Sequence, residues 1–587
     1  MFNRLKNRVL TVVGPDIPAL PSSGTGSGGG GSSGHHHHGR GGDDHHKGSL
    51  PEKFRYARPQ FLQLLTYDEL KASADHNVRP IIVPRDISLL PWSTGYAECV
   101  NSGKSEWNED QAAFHRQVLS HPSKQYHDLP YTYFGTYDGH AGYGAALAAS
   151  NQFHHILHEK LVDIIDLLMP RVESDDPVAI GPGVGLSAIL PHPILFHKQV
   201  SKDELIVGAL EAAFADMDAV LAEDRDKYRN AGGCTALVAL FILGKLFVAN
   251  AGDSRGVLCK RVHRKRAPNL RPPSFHEEGM NGDATGAAGP EEEDDEYLVY
   301  AEPCSFDHTP ETERPRLLSV GKLNPNLMGG EYVAMEYAKK PMTKDLGTRI
   351  LYRQGTMKGW TYKTLTRADL KMPIVTGEGK RSRLLGTIGV TRGFGDHDLK
   401  ALGSGLPIKP FLSCHPDVVC FDLAAVETDP DADNVDGEYG VLVMATDGLW
   451  DVTYSQKVAN TVFTTLKKFP TERHRYTMAA QELVAKSRGR ANINGHWRLS
   501  DSRAAATVDD ISVIVIPVHQ YYLEYLEWKR SLQKPKPAPI TTPLVIDPAP
   551  ISAEEAISSE RLSSSSESEA APAAPEAEAT TAEDVKQ

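Results

Sequence analysis

A chain of 587 residues has room for one large domain with additions or for two to three ordinary ones, and its 40% hydrophobic and 24% charged residues are typical of a soluble globular protein. A formal net charge of −13 argues against a sequence-independent grip on nucleic-acid phosphates, and no apolar run is long enough to span a bilayer. The six cysteines, Cys99, Cys234, Cys259, Cys304, Cys414 and Cys420, contain no Cys-x-x-Cys pair and no zinc-like cluster, which suits reduced thiols in a cytosolic protein.

In residues 1–14, Phe2, Leu5, Val9, Val12 and Val13 share one side of a helix, with Arg4, Lys6 and Arg8 elsewhere and no acidic residue. This pattern suits either a short amphipathic helix on an anionic surface, which would make a cytoplasmic protein peripheral to an endomembrane, or a frayed terminus. Residues 15–49 are Gly/Ser/His-rich and read as a flexible linker; His35 to His38, with His45 and His46, lack a carboxylate or thiol framework and read as a solvated tract. Residues 50–522 read as one folded unit. Its predicted strands are 131–137, 235–243, 246–250, 441–446 and 511–518, and its predicted helices are 144–168, 204–226, 455–468 and 475–488. Two segments interrupt it: a charged loop at 261–296 and a Trp- and Tyr-containing insertion at about 314–383. The tail, 523–587, is rich in Pro, Ala, Ser and Glu and is predicted disordered.

Acidic residues recur at the mouths of the hydrophobic runs. Asp138 follows Tyr-Thr-Tyr-Phe-Gly-Thr-Tyr and precedes Gly139-His140-Ala141-Gly142; Asp253 follows Leu-Phe-Val-Ala-Asn-Ala-Gly; Asp447 follows Val-Leu-Val-Met-Ala-Thr and precedes Gly448-Leu449-Trp450-Asp451. Asp509 and Asp510 open Ile-Ser-Val-Ile-Val-Ile, and Glu109 and Asp110 close Lys-Ser-Glu-Trp-Asn-Glu-Asp. An Asp-Gly pair alone is more often a turn. Several carboxylates held at strand ends are costly to bury together unless a cation neutralises them, and hard oxygen ligands without thiols favour Mg²⁺ or Mn²⁺.

The ordered set Asn108-Glu109-Asp110, Tyr137 to Gly142, Gly233-Cys234-Thr235-Ala236, Asn250 to Arg255, Asp307-His308-Thr309-Pro310, Gly389 to Asp396, Thr446 to Asp451 and Asp509 to Val513 resembles the motif series of the type 2C (PPM) protein phosphatases. With segments such as Leu90-Pro91-Trp92 and Leu351-Tyr352-Arg353, it is most similar to the subgroup designated H, J and M. The resemblance implies an α+β fold: a central antiparallel β-sandwich flanked by helices on both faces (αββα, four layers), with a flap insertion. It further implies two Mg or Mn ions and a weaker third. Asp138 would bridge two ions, and Gly139 would offer its carbonyl. Asp447 and Asp509 would complete the first ion, Glu109 would serve the second, and Asp110 would belong to the same metal set as a support. Asp253 and Asp451, with Asp447, match the third position, and His140 matches the general acid. Where many members carry a phosphate-binding arginine, four residues before the motif glutamate, this chain has Ser105 preceded by Lys104, so the phosphate contact falls to Lys104 as a point charge.

The implied activity is hydrolysis of phosphoserine or phosphothreonine in phosphorylated protein substrates by direct attack of a metal-bridging water, with His140 protonating the leaving oxygen. A cysteine-dependent phosphatase loop, a Gly-Asn-His-Glu motif and a GxxxxGK[ST] loop are all absent. The competing expectation is a catalytically silent scaffold of the same fold that binds phosphoproteins.

Overall fold

A computed structural model describes residues 55–169, 200–223, 232–264, 296–328, 335–339, 341–354, 357–370, 373–402, 404–426 and 435–533. The expected amphipathic segment 1–14, the linker 15–49 and the tail from 534 onward lie outside the described residues.

Two antiparallel sheets dominate. The first has six strands in the spatial order Ile81–Ile82, Gly95–Cys99, Ile511–Pro517, Val441–Ala445, Arg255–His263 and Tyr297–Pro303. The second has five, in the order Asp417–Asp422, Lys245–Ala251, Ala236–Ile242, Leu129–Tyr137 and Gln111–Leu119. The central strands are buried along their whole length, and their side chains divide with a period of two. Leu442, Met444, Ile514 and Ile516 of the first sheet share one core cluster with Phe134, Leu237, Ala239 and Phe241 of the second. The alternate residues Val441, Val443, Val513 and Val515 pack with Val458, Val462, Ala480 and Leu483 from the helices Ser455–Lys468 and Arg475–Arg488. On the second sheet, Tyr133, Val238 and Leu240 pack with Phe153, Ile156, Leu157 and Phe214 from the helices Gly144–Val162 and Lys202–Glu223. Because both faces are covered, these strands read in the sequence as continuous apolar runs, and each fully buried Val, Leu or Ile contributes roughly 1.5–3 kcal/mol.

The helices at 455–468 and 475–488 have their expected bounds, the first ending just before Phe469-Pro470, where proline cannot continue a helix. The run expected as one helix over 144–168 breaks into Gly144–Val162 and Ile165–Leu168, where β-branched Val162, Ile164 and Ile165 surround Asp163. Two boundaries differ from expectation. The strand Arg255–His263 continues past 261, because pairing with Tyr297–Pro303 draws its basic residues into the sheet. Residues 518–532 form a helix, so the folded unit runs past its expected end at 522 into the expected tail; the helix is anchored by Tyr521, which is buried in the shared core and stacks on Phe241 with ring centroids 4.3 Å apart.

The insertion is folded. It carries the helix Arg314–Leu323 and a sheet of five short strands, Thr361–Thr364, Arg349–Gln354, Met335–Tyr337, Val375–Thr376 and Arg383–Leu384. Buried Arg353 ties it together: its guanidinium donates to Glu336 (2.7 Å) and Glu311 (3.0 Å) and lies 4.7 Å from the ring centre of Trp360.

Candidate active site

Antiparallel register gathers the acidic residues at one edge of the two main sheets. Gln111 pairs with Tyr137, so Asp110 and Asp138 leave neighbouring strands side by side. Ala445 pairs with both Arg255 and Val513, which brings Asp253, Asp447 and the Asp509-Asp510 pair to the same edge. Carboxylate oxygens of Asp138, Asp253 and Asp447 lie within 4.8 Å of one another.

Two glycines make this convergence possible. A Cβ on Gly139 would stand 2.4 Å from the Glu109 carbonyl oxygen, and one on Gly448 would stand 1.8 Å from the Asp510 carbonyl oxygen. The recurring Asp-Gly pair is therefore a close backbone approach between acid-bearing loops rather than a turn signal.

The three carboxylates open into a cleft of about 390 Å³, which Lys104, Gly139, His140, Asp451 and Asp509 also line. Asp138 and Asp447 are pushed well above the ordinary carboxylate range, first by burial and then by the neighbouring aspartates. Asp253 is raised to about 7, by burial and then by Asp307 and Asp451. Such a group of hard, mutually repelling oxygens fits a divalent cation such as Mg²⁺ or Mn²⁺.

The remaining expected residues take distinct places. Asp509 accepts a hydrogen bond from the Lys104 ammonium, whose own pKa is held up by that ion pair against the opposing effect of burial. Glu109 lies beside the carboxylate group; burial raises its carboxyl, offset in part by the Gly142 backbone N–H and the charge of His140. Asp110 stands behind the cleft wall, almost wholly buried, where Thr446 Oγ1 donates to its Oδ2 at 2.8 Å. His140 Nε2 lies 2.7 Å from Asp396 Oδ2. Burial opposes charge on the imidazole, but that bond and the charges of Asp396, Asp253 and Glu109 outweigh it and raise the pKa.

Several supporting residues escaped the sequence reading. Arg58, buried, forms a two-pronged pair with Glu98 (2.8 and 2.6 Å) and donates to the carbonyls of Asn108 and Asp110, fixing the Glu109 turn. Fully buried Arg79 donates to the carbonyls of Val100 (2.7 Å), Thr507 (2.8 Å) and Asp509 (2.8 Å), fixing the other acidic loop. Asp510 accepts the backbone N–H groups of Asn101 (2.7 Å) and Glu109 (3.0 Å). Lys380 and Arg383, from the insertion, form part of the cleft rim. Asp396 and Asp510 stood in quoted motifs; the arginines and the rim cations carried no periodic or motif signal.

The profile of the protein phosphatase 2C family matches residues 188–270 and 374–494. Protein phosphatase 1H of Xenopus tropicalis is 39% identical over 521 residues, covering 80% of this chain and 93% of that protein. Protein phosphatase 1J of Rattus norvegicus is 40% identical over 479 residues, covering 79% of this chain and 86% of that protein. The chain belongs to the protein phosphatase 2C family. It is a protein-serine/threonine phosphatase of the PPM class, a family that depends on Mg or Mn.

Proposed function

We propose that the chain hydrolyses phosphoserine and phosphothreonine monoesters in proteins by direct attack of water, without a phosphoenzyme, at the acidic edge of the two sheets. The observation that carries this reading is the convergence of Asp138, Asp253 and Asp447, each half-buried, on one point of the cleft. Two Mg²⁺ or Mn²⁺ ions and a weaker third would supply the Lewis acidity that lowers the pKa of water and neutralises phosphoryl charge. Asp138 would serve both principal ions and Gly139 would offer its carbonyl, with Asp447 and Asp509 completing one ion and Glu109 serving the other. Asp253, Asp447 and Asp451 would hold the third, and Asp110 would brace the set from behind.

The chain's own groups do the rest. Lys104, at the cleft beside Asp509, is the point charge that orients the phosphate. His140 donates the proton to the departing serine or threonine oxygen, and the bond from its Nε2 to Asp396 favours the charged form needed for that step. We read the layers as an αββα sandwich and the insertion at about 314–383 as a flap that selects phosphoprotein substrates, since a metal centre senses only the phosphate. Among the described residues no helix is long and apolar enough to cross a membrane. Peripheral membrane contact through residues 1–14 rests on their sequence pattern alone, and loss of vesicle sedimentation on deleting them would support it. A silent scaffold would be favoured by a broken acidic set, and this set is whole.

The test is phosphate release from a phosphothreonine peptide by the full chain. Release is expected to require Mn²⁺ or Mg²⁺ and to vanish with chelator and in Asp447→Ala. Release that survives both would refute the reading.

A further inference from the structure

One side of the cleft already contains a cation supplied by the chain. Lys380 lies in the short helical turn Gly379–Arg381 of the insertion, and its ammonium reaches across to the main sheets. There it donates to Asp451 twice, to the backbone carbonyl at 2.8 Å and to Oδ1 at 3.1 Å. Asp451 is in turn one of the charges that raise the Asp253 carboxyl. The Lys380 ammonium thus partly neutralises the outer end of the acidic group. Both side chains are about half exposed, 53% and 51%, so the pair can open without disturbing the core. Arg383 turns back on its own segment, its Nη1 donating to the carbonyls of Lys380 (2.9 Å) and Ser382 (2.7 Å), which leaves Lys380 as the described rim side chain that bridges to Asp451.

We propose that Lys380 is a tethered counter-ion that competes with the most weakly held divalent cation for Asp451, so that filling of that position and release of the 379–383 segment are one equilibrium. An ammonium and a divalent ion cannot share the same carboxylate oxygen at contact distance without strong repulsion. Reciprocity then requires that whatever draws the segment away from Asp451 tightens the cation there, and that the cation loosens the segment. Lys380 is a positioning residue in this scheme: it sets the occupancy of a neighbouring position and the closure of the rim. The inference rests on the phosphatase reading, which assigns Asp451 to the cation set, and deepens it by giving that position a competitor.

The experiment is Mn²⁺ titration of the chelator-treated full chain, followed by calorimetry and by amide hydrogen exchange of residues 377–383. Replacing the half-exposed lysine in Lys380→Gln is expected to tighten the weakest Mn²⁺ about two- to fivefold, the range an exposed ion pair of up to about 1 kcal/mol corresponds to. Lys380→Arg, which keeps the charge, is expected to stay close to the unsubstituted chain. In that chain Mn²⁺ is expected to speed amide exchange in 377–383, with no such change in Lys380→Gln. Superimposable isotherms for the unsubstituted chain and Lys380→Gln would overturn the proposal, as would exchange in 377–383 that ignores Mn²⁺. Failure of the phosphatase reading itself would be visible separately, as absence of Mn²⁺-dependent phosphate release while these binding differences persisted.

Discussion

The carboxylates on the floor of the cleft and the cations on its rim come from different kinds of structure. Asp138 and Asp447 follow central strands that are buried over nearly all their length, and the loops that carry the acidic residues are held by Gly139, Gly448, Arg58 and Arg79. Arg383 sits on the separate small sheet and Lys380 on the helical turn that precedes its last strand, both exposed to solvent, and they hold onto backbone carbonyls and one half-exposed carboxylate. The floor is preorganised by packing, so its geometry is insensitive to what arrives. The rim is held by weak, exposed contacts that a substrate or an ion can replace. Chemistry and selection are thereby assigned to parts of the molecule with different stiffness.

The largest effect should come from the floor. Asp138→Asn is expected to reduce phosphate release about a thousandfold or more, since several kcal/mol of charge stabilisation pass through this position and ~4 kcal/mol is about a thousandfold. A thermal melt in chelator should show the variant no less stable than the unsubstituted chain, because a buried, repelled carboxylate has been removed. A floor that tolerates Asn with only a few-fold loss would break the comparison.

Next comes the support of the floor. Arg58→Met leaves Glu98 buried without its partner, and denaturant unfolding should report a loss of about 3 kcal/mol. His140→Gln should slow release from a phosphothreonine peptide about a hundredfold, but should affect an aryl phosphate much less, because an aryl leaving group needs little protonation. Equal losses on both substrates would remove His140 as the proton donor.

A pH effect of smaller size follows from Asp253. Its carboxyl is raised from 3.8 to about 7, so in the metal-free chain the contribution of the protonated form is complete below about pH 4 and is lost as pH rises through about 7. Asp253→Asn should therefore gain melting temperature over the unsubstituted chain between pH 5 and 7 in chelator, by about 2–4 °C. A gap that narrows as pH rises would contradict the sign. The smallest effect belongs to the rim: Arg383→Glu should change the KM for a phosphoprotein by about two- to fivefold and leave an aryl phosphate unchanged.

The same contrast explains what could be read from the sequence. Strand exits bearing Asp138, Asp253 and Asp447 were legible because burial on both faces forces long apolar runs, and the helices at 455–468 and 475–488 were legible from their periodicity. The bond from His140 to Asp396 joins residues 256 positions apart, and nothing in either neighbourhood announces it. Lys380 likewise reads as a surface lysine until the insertion folds back onto Asp451. The end of the folded unit was misplaced because the Pro/Ala/Ser composition of the tail outweighed Tyr525 and Trp528, whose rings, with centroids 5.9 Å apart, lie on the closing helix. Periodic burial is written locally; long-range ion pairs between ordinary polar residues are not.

The central claim is that the aspartates at the sheet edge form one cluster that holds the divalent cations. A crystal of the full chain grown or soaked with Mn²⁺ tests it most directly, through the anomalous signal of the metal. The account expects strong anomalous peaks bounded by the carboxylates of Asp138, Asp253 and Asp447, lost in Asp138→Asn. A map with no anomalous density between those three side chains at saturating Mn²⁺ would contradict it.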